Sequence, residues 1–233
     1  MTTTETTRSG RILGVPWGVD GFVRREARLR SFEPENPALL VPRSAGIGWD
    51  LNTGAVAVRL GLIRPDDSLP DLEAHIPGAV ARALSAAPLA GAAVVAAVSV
   101  AAGRGRRRMP TGWGANLAPR GWGTPVRALA PGVAVSAGLA AWNAWRNRAE
   151  GSVDVSGASL ALTVEAGALV LAVAARAAGE RDDVPVPARA RLLAGLGVAA
   201  VPAVATAVPV AVVKSALANL GRRLASGDSP VPA

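Results

Sequence analysis

The stretch Leu192–Val213, LLAGLGVAAVPAVATAVPVAVV, runs for 22 residues without a charged side chain. A helix rises 1.5 Å per residue, so about twenty apolar residues cross the roughly 30 Å hydrocarbon core of a bilayer. Pro202 and Pro209 lie one heptad apart, and we expect them to kink this helix along one face. The stretch therefore predicts a transmembrane helix.

Three further segments resemble it and, together with 192–213, predict a four-helix transmembrane bundle over 83–216: they are 83–103, 128–145 and 155–175. The second is the weakest because it is short and contains Asn143. The segments are rich in Ala and Gly, which favours close helix packing. The alternative is a soluble alanine-rich bundle, but its outer face would carry charges on every turn, and 192–213 carries none.

The composition removes most familiar enzyme chemistry. There is no Cys, no Tyr and a single His, His75. No phosphate-binding loop, dinucleotide-binding fingerprint or Ser–His–acid set is visible. We therefore expect a protein that is not an enzyme, with no catalytic residues, no cofactor and no bound metal. A metal site of His75 with Glu73 and Asp71 stays possible on spacing alone.

The N-terminal third is polar and has its own organisation. Residues 1–10 are predicted to be disordered and lack the apolar run of a cleavable signal peptide. A small soluble domain follows over 11–64, then a Pro-rich acidic linker over 65–82, and residues 217–233 form a polar tail. The alternation in 55–62, placed after a turn signal at 52–54, predicts a β-hairpin with 46–51. The expected fold class is mainly α, with a small α+β segment before the bundle.

One motif runs from Phe32-Glu33-Pro34-Glu35-Asn36-Pro37 to Gly46-Ile47-Gly48-Trp49-Asp50-Leu51-Asn52, with Gly14-Val15-Pro16-Trp17 upstream. Over about 13–62 the chain therefore resembles an uncharacterised domain of bacterial multi-pass membrane proteins, in actinobacteria and firmicutes. Asn36 stands where that family usually has Asp, and Leu40, Ala45 and Thr53 replace Phe. The resemblance implies a membrane protein and no established activity.

The motif residues are candidates for a recognition surface, namely Pro34, Asn36, Pro37, Gly46, Gly48, Trp49 and Asn52. Glycines in turns more often serve geometry than binding, so we expect chiefly a structural role. A ligand contact is the alternative. Two Gly-Trp-Gly triplets at 112–114 and 121–123 are either a small internal repeat at the membrane interface or a coincidence.

Glu165 is the main candidate for an intramembrane polar site, with Asn143 as a second member. A carboxylate at the centre of a membrane helix is costly to ionise and should face the interior of the bundle. One interpretation is a proton or cation site. The other is a hydrogen bond that ties helices together, through Asn143, Ser136, Ser159 or Thr206.

The net charge of +8 comes almost entirely from Arg residues that flank the apolar segments. We expect Arg104, Arg106, Arg107 and Arg108 to contact anionic lipid headgroups, and we expect no nucleic acid partner because the patch lacks interleaved aromatics. Counting positive charges favours termini outside the cell. The missing export signal favours a cytoplasmic N-terminus, which we adopt.

The predicted function is that of a multi-pass protein of the plasma membrane without enzymatic activity. Its role would be interaction, regulation or scaffolding, and its partners the lipid bilayer and a second copy or another membrane protein. The alternative is a small transporter or channel subunit that uses Glu165.

Overall fold

The computed structural model describes residues 9–180 and 185–227. Of the predicted disordered segment 1–10, residues 1–8 lie outside the described residues, whereas Ser9 and Gly10 belong to a strand, and the last residues of the predicted tail, 228–233, also lie outside. The chain divides into two compact units, one formed by the N-terminal part with the end of the chain and the other by Arg82–Ala205. Short strands and helices make up the first unit, and long helices dominate the second.

The long helices are α5 (Gly78–Gly103), α6 (Pro125–Glu150), α7 (Val155–Ala177) and α8 (Ala188–Ala225). Within the described residues, α5, α7 and α8 are long and apolar enough to cross a membrane. This finding is consistent with a membrane protein, and three of the four predicted segments lie in these helices. Helix α6 is as long as α5 but does not reach the same apolar content, because it carries polar residues such as Asn143 and Asn147 near its C-terminal end.

Helix α7 is the central helix of the second unit. Half of the apolar 18-residue stretch of α7 is buried inside the structure, compared with 22% of the corresponding stretch of α5. A Cβ atom built on Gly132 of α6 would lie 3.5 Å from Ala168, and one built on Gly167 would lie 3.4 Å from Val201 of α8. On a third side, α5 packs with its own Gly91 against Glu165. Small residues thus let three helices approach α7 closely.

Helices α5 and α7 run parallel. Gly91 meets Glu165, and eleven residues further along both helices the Arg176 side chain donates a 2.8 Å hydrogen bond to the carbonyl of Ala102. The equal spacing on both helices means that they keep the same register over about three turns. Helix α6 lies between them in the sequence, so it must return the chain along their full length.

A β-hairpin connects α5 to α6. Its strands are β6 (Met109–Trp113) and β7 (Pro119–Gly123), and Pro110 pairs with Trp122 as Trp113 pairs with Pro119. The two Gly-Trp-Gly triplets therefore lie on opposite strands, each Trp facing a Pro. Met109 is fully buried against Ala102, Ala172 and Ala175. The hairpin is thus packed onto the helix ends.

The first unit contains two small sheets. Strands β1 (Ser9–Ile12), β2 (Val15–Gly18) and β4 (Gly46–Ile47) form one in the order β1-β2-β4, and β3 (Leu40–Pro42) pairs with β5 (Trp49–Leu51) in the other. The remaining elements are short helices: α1 (Asp20–Val23), α2 (Arg25–Leu29), α3 (Thr53–Arg59), α4 (Leu69–Leu72) and a 3₁₀ turn at Glu73–His75.

The predicted hairpin of 46–51 with 55–62 is wrong. Residues Thr53–Arg59 form a helix, because the Asn52 side chain accepts a hydrogen bond from the backbone N–H of Ala55 and so caps its N-terminus. Strands do occupy 46–47 and 49–51, but they pair with β2 and β3 instead. The alternation of Ala and Val at 55–58 therefore does not mark a strand in this chain.

Two predicted boundaries also differ from the structure. The linker at 65–82 contains α4 and the 3₁₀ turn, and α5 already begins at Gly78. Helix α8 continues past residue 213 to Ala225, into the predicted polar tail. Asn219 there donates a 2.9 Å hydrogen bond to the carbonyl of His75. The polar end of α8 therefore belongs to the first unit.

Candidate functional site

Asn52 is the centre of the motif domain. Its side chain is fully buried, and both the oxygen and the nitrogen of its amide group form hydrogen bonds. Oδ1 accepts from the N–H groups of Glu33 (3.0 Å) and Ala55 (3.2 Å), and Nδ2 donates to the carbonyls of Glu33 (2.9 Å) and Asn36 (3.0 Å). One amide thereby joins the loop at 33–36 to the start of α3. Asn52 is a structural residue and does not belong to the surface.

The residues after Asn52 fasten the same loop. Thr53 donates to the carbonyl of Ser31 through both its backbone N–H and its hydroxyl, each at 2.9 Å. A Cβ atom on Gly54 would lie 2.7 Å from the nitrogen of Pro34, so only glycine fits here. The sequence Asn52-Thr53-Gly54 therefore acts as a helix cap and as a docking surface for the loop, and not as a hairpin turn.

The proline and asparagine residues of the motif shape that loop. Pro34 is buried, whereas Pro37 is exposed. Asn36 accepts a 3.0 Å bond from the N–H of Ala38 and donates one of 3.0 Å to the Glu33 carboxylate. An Asp at position 36 could accept the first bond but could not donate the second. Asn36 therefore suits this position better than an Asp would.

Gly48 joins the two sheets. Its N–H donates to Pro16 at 2.8 Å, and its carbonyl accepts from Arg43 at 3.0 Å. Its φ is +104°, and that of Gly46 is +108°, values that side chains other than glycine rarely adopt. The two glycines thus let the chain leave β4 and enter β5 within three residues, which places Trp49 on the second sheet. The upstream Pro16 is part of the same structure.

The two faces of the β3–β5 ribbon differ: Val41 and the half-buried Asp50 pair on one, and apolar exposed side chains lie on the other. Val41, on the inner face, is 3% exposed. The outer face carries two cross-strand pairs, and their exposed members are Leu40 (58%), Leu51 (36%) and Trp49 (45%), with Pro42 opposite Trp49. Asp50 forms a 2.8 Å ion pair with Arg43 beside them. We call Leu40, Pro42, Trp49 and Leu51 the ribbon face.

Glu165 lies at the middle of α7 and is 2% exposed. A Cβ atom on Gly91, the midpoint of α5, would overlap its Oε2 atom. Neither carboxyl oxygen has a hydrogen-bond partner among the described residues. At 1.5 Å per residue, both positions are about 15 Å or more from the ends of their helices, a distance equal to about half of a bilayer's hydrocarbon core.

Ser136 lies level with Glu165 on the neighbouring helix. Gly157 of α7 lies against Asn143 of α6, and Ala168 of α7 lies against Gly132 of α6. The two helices are therefore antiparallel, and eleven residues forward along α7 correspond to eleven residues back along α6. Ser136 is fully buried, and within the described part of the chain its hydroxyl also lacks a partner. Gly91 therefore lies against the carboxyl group, and Ser136 lies within one residue of the position opposite Glu165 on α6. The sequence indicates Ser136 as one of four candidate hydrogen-bond partners of Glu165, and it gives no indication of Gly91.

Asn143 lies at a different height along the helices from Glu165. A Cβ on Gly157 would lie 2.8 Å from Asn143 Oδ1 and 2.9 Å from Asp154 Oδ2. Asp154 caps α7 by accepting from the N–H of Gly157 at 3.0 Å. Asn143 is seven residues from Ser136, or roughly 10 Å along the helix. The structure thus places Asn143 with the buried Asp154 at the α6–α7 turn and away from Glu165.

The four arginines after α5 differ in their surroundings. Arg106 donates a 3.2 Å hydrogen bond to the carbonyl of Arg176, while Arg104 and Arg107 have exposed side chains. Arg176 in turn donates to the carbonyls of Ala101, Ala102 and Arg104 at 2.8–3.2 Å and so caps the C-terminal end of α5. The cluster therefore lies at one end of the parallel pair α5 and α7.

Among the described residues, no group of three His, Asp or Glu side chains could hold a metal ion. His75 and Glu73 lie in the 3₁₀ turn, just after Asp71 in α4.

Comparison with known proteins adds one match. Residues 34–59 match the model of a family of unknown function, DUF5808. The match begins at Pro34 and ends in α3, so it covers the loop, the ribbon and the Asn52 cap. No curated protein and no solved structure matches the chain. This stretch is therefore similar to an uncharacterised family, and the similarity does not extend to the long helices.

Proposed function

We propose that this chain is a multi-pass membrane protein without enzymatic activity, whose N-terminal domain binds a protein partner through the ribbon face. The observation that carries the proposal is the exposure of Leu40, Trp49 and Leu51 side by side on one face of the ribbon, while Val41 on the opposite face is buried. Contiguous apolar side chains of this kind, aromatic ones in particular, are typical of protein interfaces.

The construction of the domain supports a role in recognition. Asn52 uses its buried amide to fix the loop before the ribbon, and the two glycines fix the crossing between its strands. A face held in one conformation loses little entropy on binding. The matched family segment covers this face and its support, which is what a conserved mode of binding by that family would require.

The membrane part of the proposal is a bundle of four crossing helices. Its support is the parallel packing of α5 and α7, because two crossings in one direction require a return between them. Helix α6 is the intervening element and is 26 residues long. Its length of about 39 Å exceeds the hydrocarbon core. Among its polar residues Asn143 is fully buried, whereas Arg148 and Glu150 at its C-terminal end are exposed.

The test of the binding proposal is site-specific photo-crosslinking in cells. A photoreactive phenylalanine analogue at Trp49 or Leu40 should give a defined crosslinked product. The same analogue at Leu60, which is 66% exposed but lies outside the ribbon face, serves as the matched control. Equal labelling at all three positions, or none at Trp49 and Leu40, would remove the binding proposal.

A second function, a small transporter or channel subunit, is favoured by Glu165. A buried carboxyl group with two unpartnered oxygens, level with the unpartnered hydroxyl of Ser136, is a functional candidate in a membrane helix. Purified protein in liposomes with an entrapped pH dye tests it. This function predicts proton or cation flux that Glu165→Gln abolishes while Ser159→Ala does not. Equal flux with and without the protein would rule it out.

A further inference from the structure

A groove of about 530 Å³ runs between α5 and α6. Its walls are apolar and small, with Ala96 and Val100 from α5 and Leu129, Ala130 and Ala134 from α6. Arg104 lines one end, immediately after the last turn of α5. The groove is thus apolar along its length and positively charged at one end.

We propose that this groove binds one acyl chain of an anionic phospholipid, with the phosphate group at Arg104. The inference rests on the proposed membrane location of α5 and α6, and it adds a lipid site of defined chemistry to it.

The length of the groove fits a single leaflet. From Ala96 to Arg104 the helix rises about 12 Å, and from Pro125 to Ala134 about 13 Å. Half of a hydrocarbon core is roughly 15 Å. A lipid whose headgroup lies at the level of Arg104 would therefore have its chain end near the inner end of the groove.

The charge around the opening selects the headgroup. Arg107 and Arg108, also exposed, follow Arg104 within four residues, and Arg127 lies in the first turn of α6. Basic residues near the membrane surface attract anionic lipids, each by an amount equivalent to about a fivefold preference. A zwitterionic lipid would fill the same groove but would gain less at its opening.

A second copy of this chain is the competing occupant, since small residues also line helix–helix contacts in membranes. The charge argues against it, because the symmetric copy would bring its own Arg104 to the same end. The chain has no native Cys, so a single Cys at Ala130 reports this contact directly.

Lipid retention tests the proposal on the full chain. Detergent-purified protein is equilibrated with equal amounts of phosphatidylglycerol and phosphatidylcholine, repurified, and its bound lipid measured by mass spectrometry. The wild type should retain phosphatidylglycerol preferentially. Arg104→Gln should lower that preference about fivefold, whereas Arg148→Gln, at the far end of α6, should leave it unchanged.

Filling the groove separates specific from general lipid binding. Ala130→Phe should abolish retention of both lipids, whereas Ala137→Phe, also exposed on α6 but outside the groove, should not. Unchanged retention in Arg104→Gln or Ala130→Phe overturns the proposal, as does a disulfide-linked dimer of Ala130→Cys. If the chain did not lie in the membrane, neither the wild type nor any variant would retain either lipid. Failure of the proposed membrane location would therefore differ from failure of the lipid site alone.

Discussion

Gly91 provides the space that the carboxyl group of Glu165 occupies, because a methyl group at position 91 would overlap Oε2 of that side chain. The contact lies at the midpoint of both α5 and α7. It fixes the register of the parallel pair together with the hydrogen bonds from Arg176 to the end of α5. The position of the buried carboxyl group therefore depends on a residue 74 positions earlier in the chain.

Gly91→Ala should destabilise the protein by about 1–3 kcal/mol, the usual cost of overpacking a well-packed core. Thermal unfolding in detergent measures the effect. Gly138→Ala is the matched control, since a Cβ there meets no atom within 4 Å. It should change stability by only a few tenths of a kcal/mol, or raise it.

The coupling between the two residues can be measured with a double-mutant cycle. Glu165→Ala removes the oxygen that a methyl group at position 91 would meet, so Gly91→Ala should cost much less in that background. The expected interaction energy is about 1–2 kcal/mol. Strictly additive effects would show that Gly91 and Glu165 do not share this contact.

Asn52→Ala should loosen the motif domain by about 2–4 kcal/mol, because four hydrogen bonds, one buried and three partly buried, lose one partner each. Hydrogen exchange of the full chain, followed by mass spectrometry, should then show loss of protection over 31–59 with little change in α7. Asn36→Ala, which loses a more exposed side chain, should have a smaller effect. Unchanged protection in Asn52→Ala would contradict the role assigned to its amide.

Arg176→Ala should destabilise the end of α5 by about 1 kcal/mol, since several of the capping hydrogen bonds are exposed to solvent. Exchange of the amides near residues 101–106 measures it. Arg189→Ala, an exposed arginine at the start of α8, is the control. Equal protection in Arg176→Ala and wild type would mean that the arginine does not cap this helix.

The apolar helices were predictable because their signal is local: a long run without charges needs no knowledge of neighbours. The central position of Glu165 followed from the same signal. Its partner did not, because Gly91 is one of 26 glycines and only the packing of α5 on α7 distinguishes it. For the same reason the sequence did not show that Asn143 and Glu165 lie apart. Both are polar residues in apolar segments, and only the packing of the helices places them at different heights.

Local patterns failed where tertiary contacts decide the structure. The alternation at 55–58 indicated a strand, yet the side chain of Asn52 starts a helix there and buries Ala55 and Ala57. The Gly-Trp-Gly triplets gave no strand signal, yet they pair across a hairpin that the burial of Met109 holds on the helices. Polar residues near the end of α8 concealed its continuation to Ala225.

Chemical labelling of single cysteines tests the central claim, four crossings with α6 as the return helix. The Cys-free chain takes one Cys at a time at Thr111 in the β6–β7 hairpin, Ser152 in the α6–α7 turn, Val186 before α8 and Ser226 after it. An impermeant thiol reagent is applied to intact cells and to inverted vesicles. Four crossings predict that Thr111 and Val186 label from one side and that Ser152 and Ser226 label from the other. Labelling of Thr111 and Ser152 from the same side would contradict the claim, because α6 would then not cross the membrane.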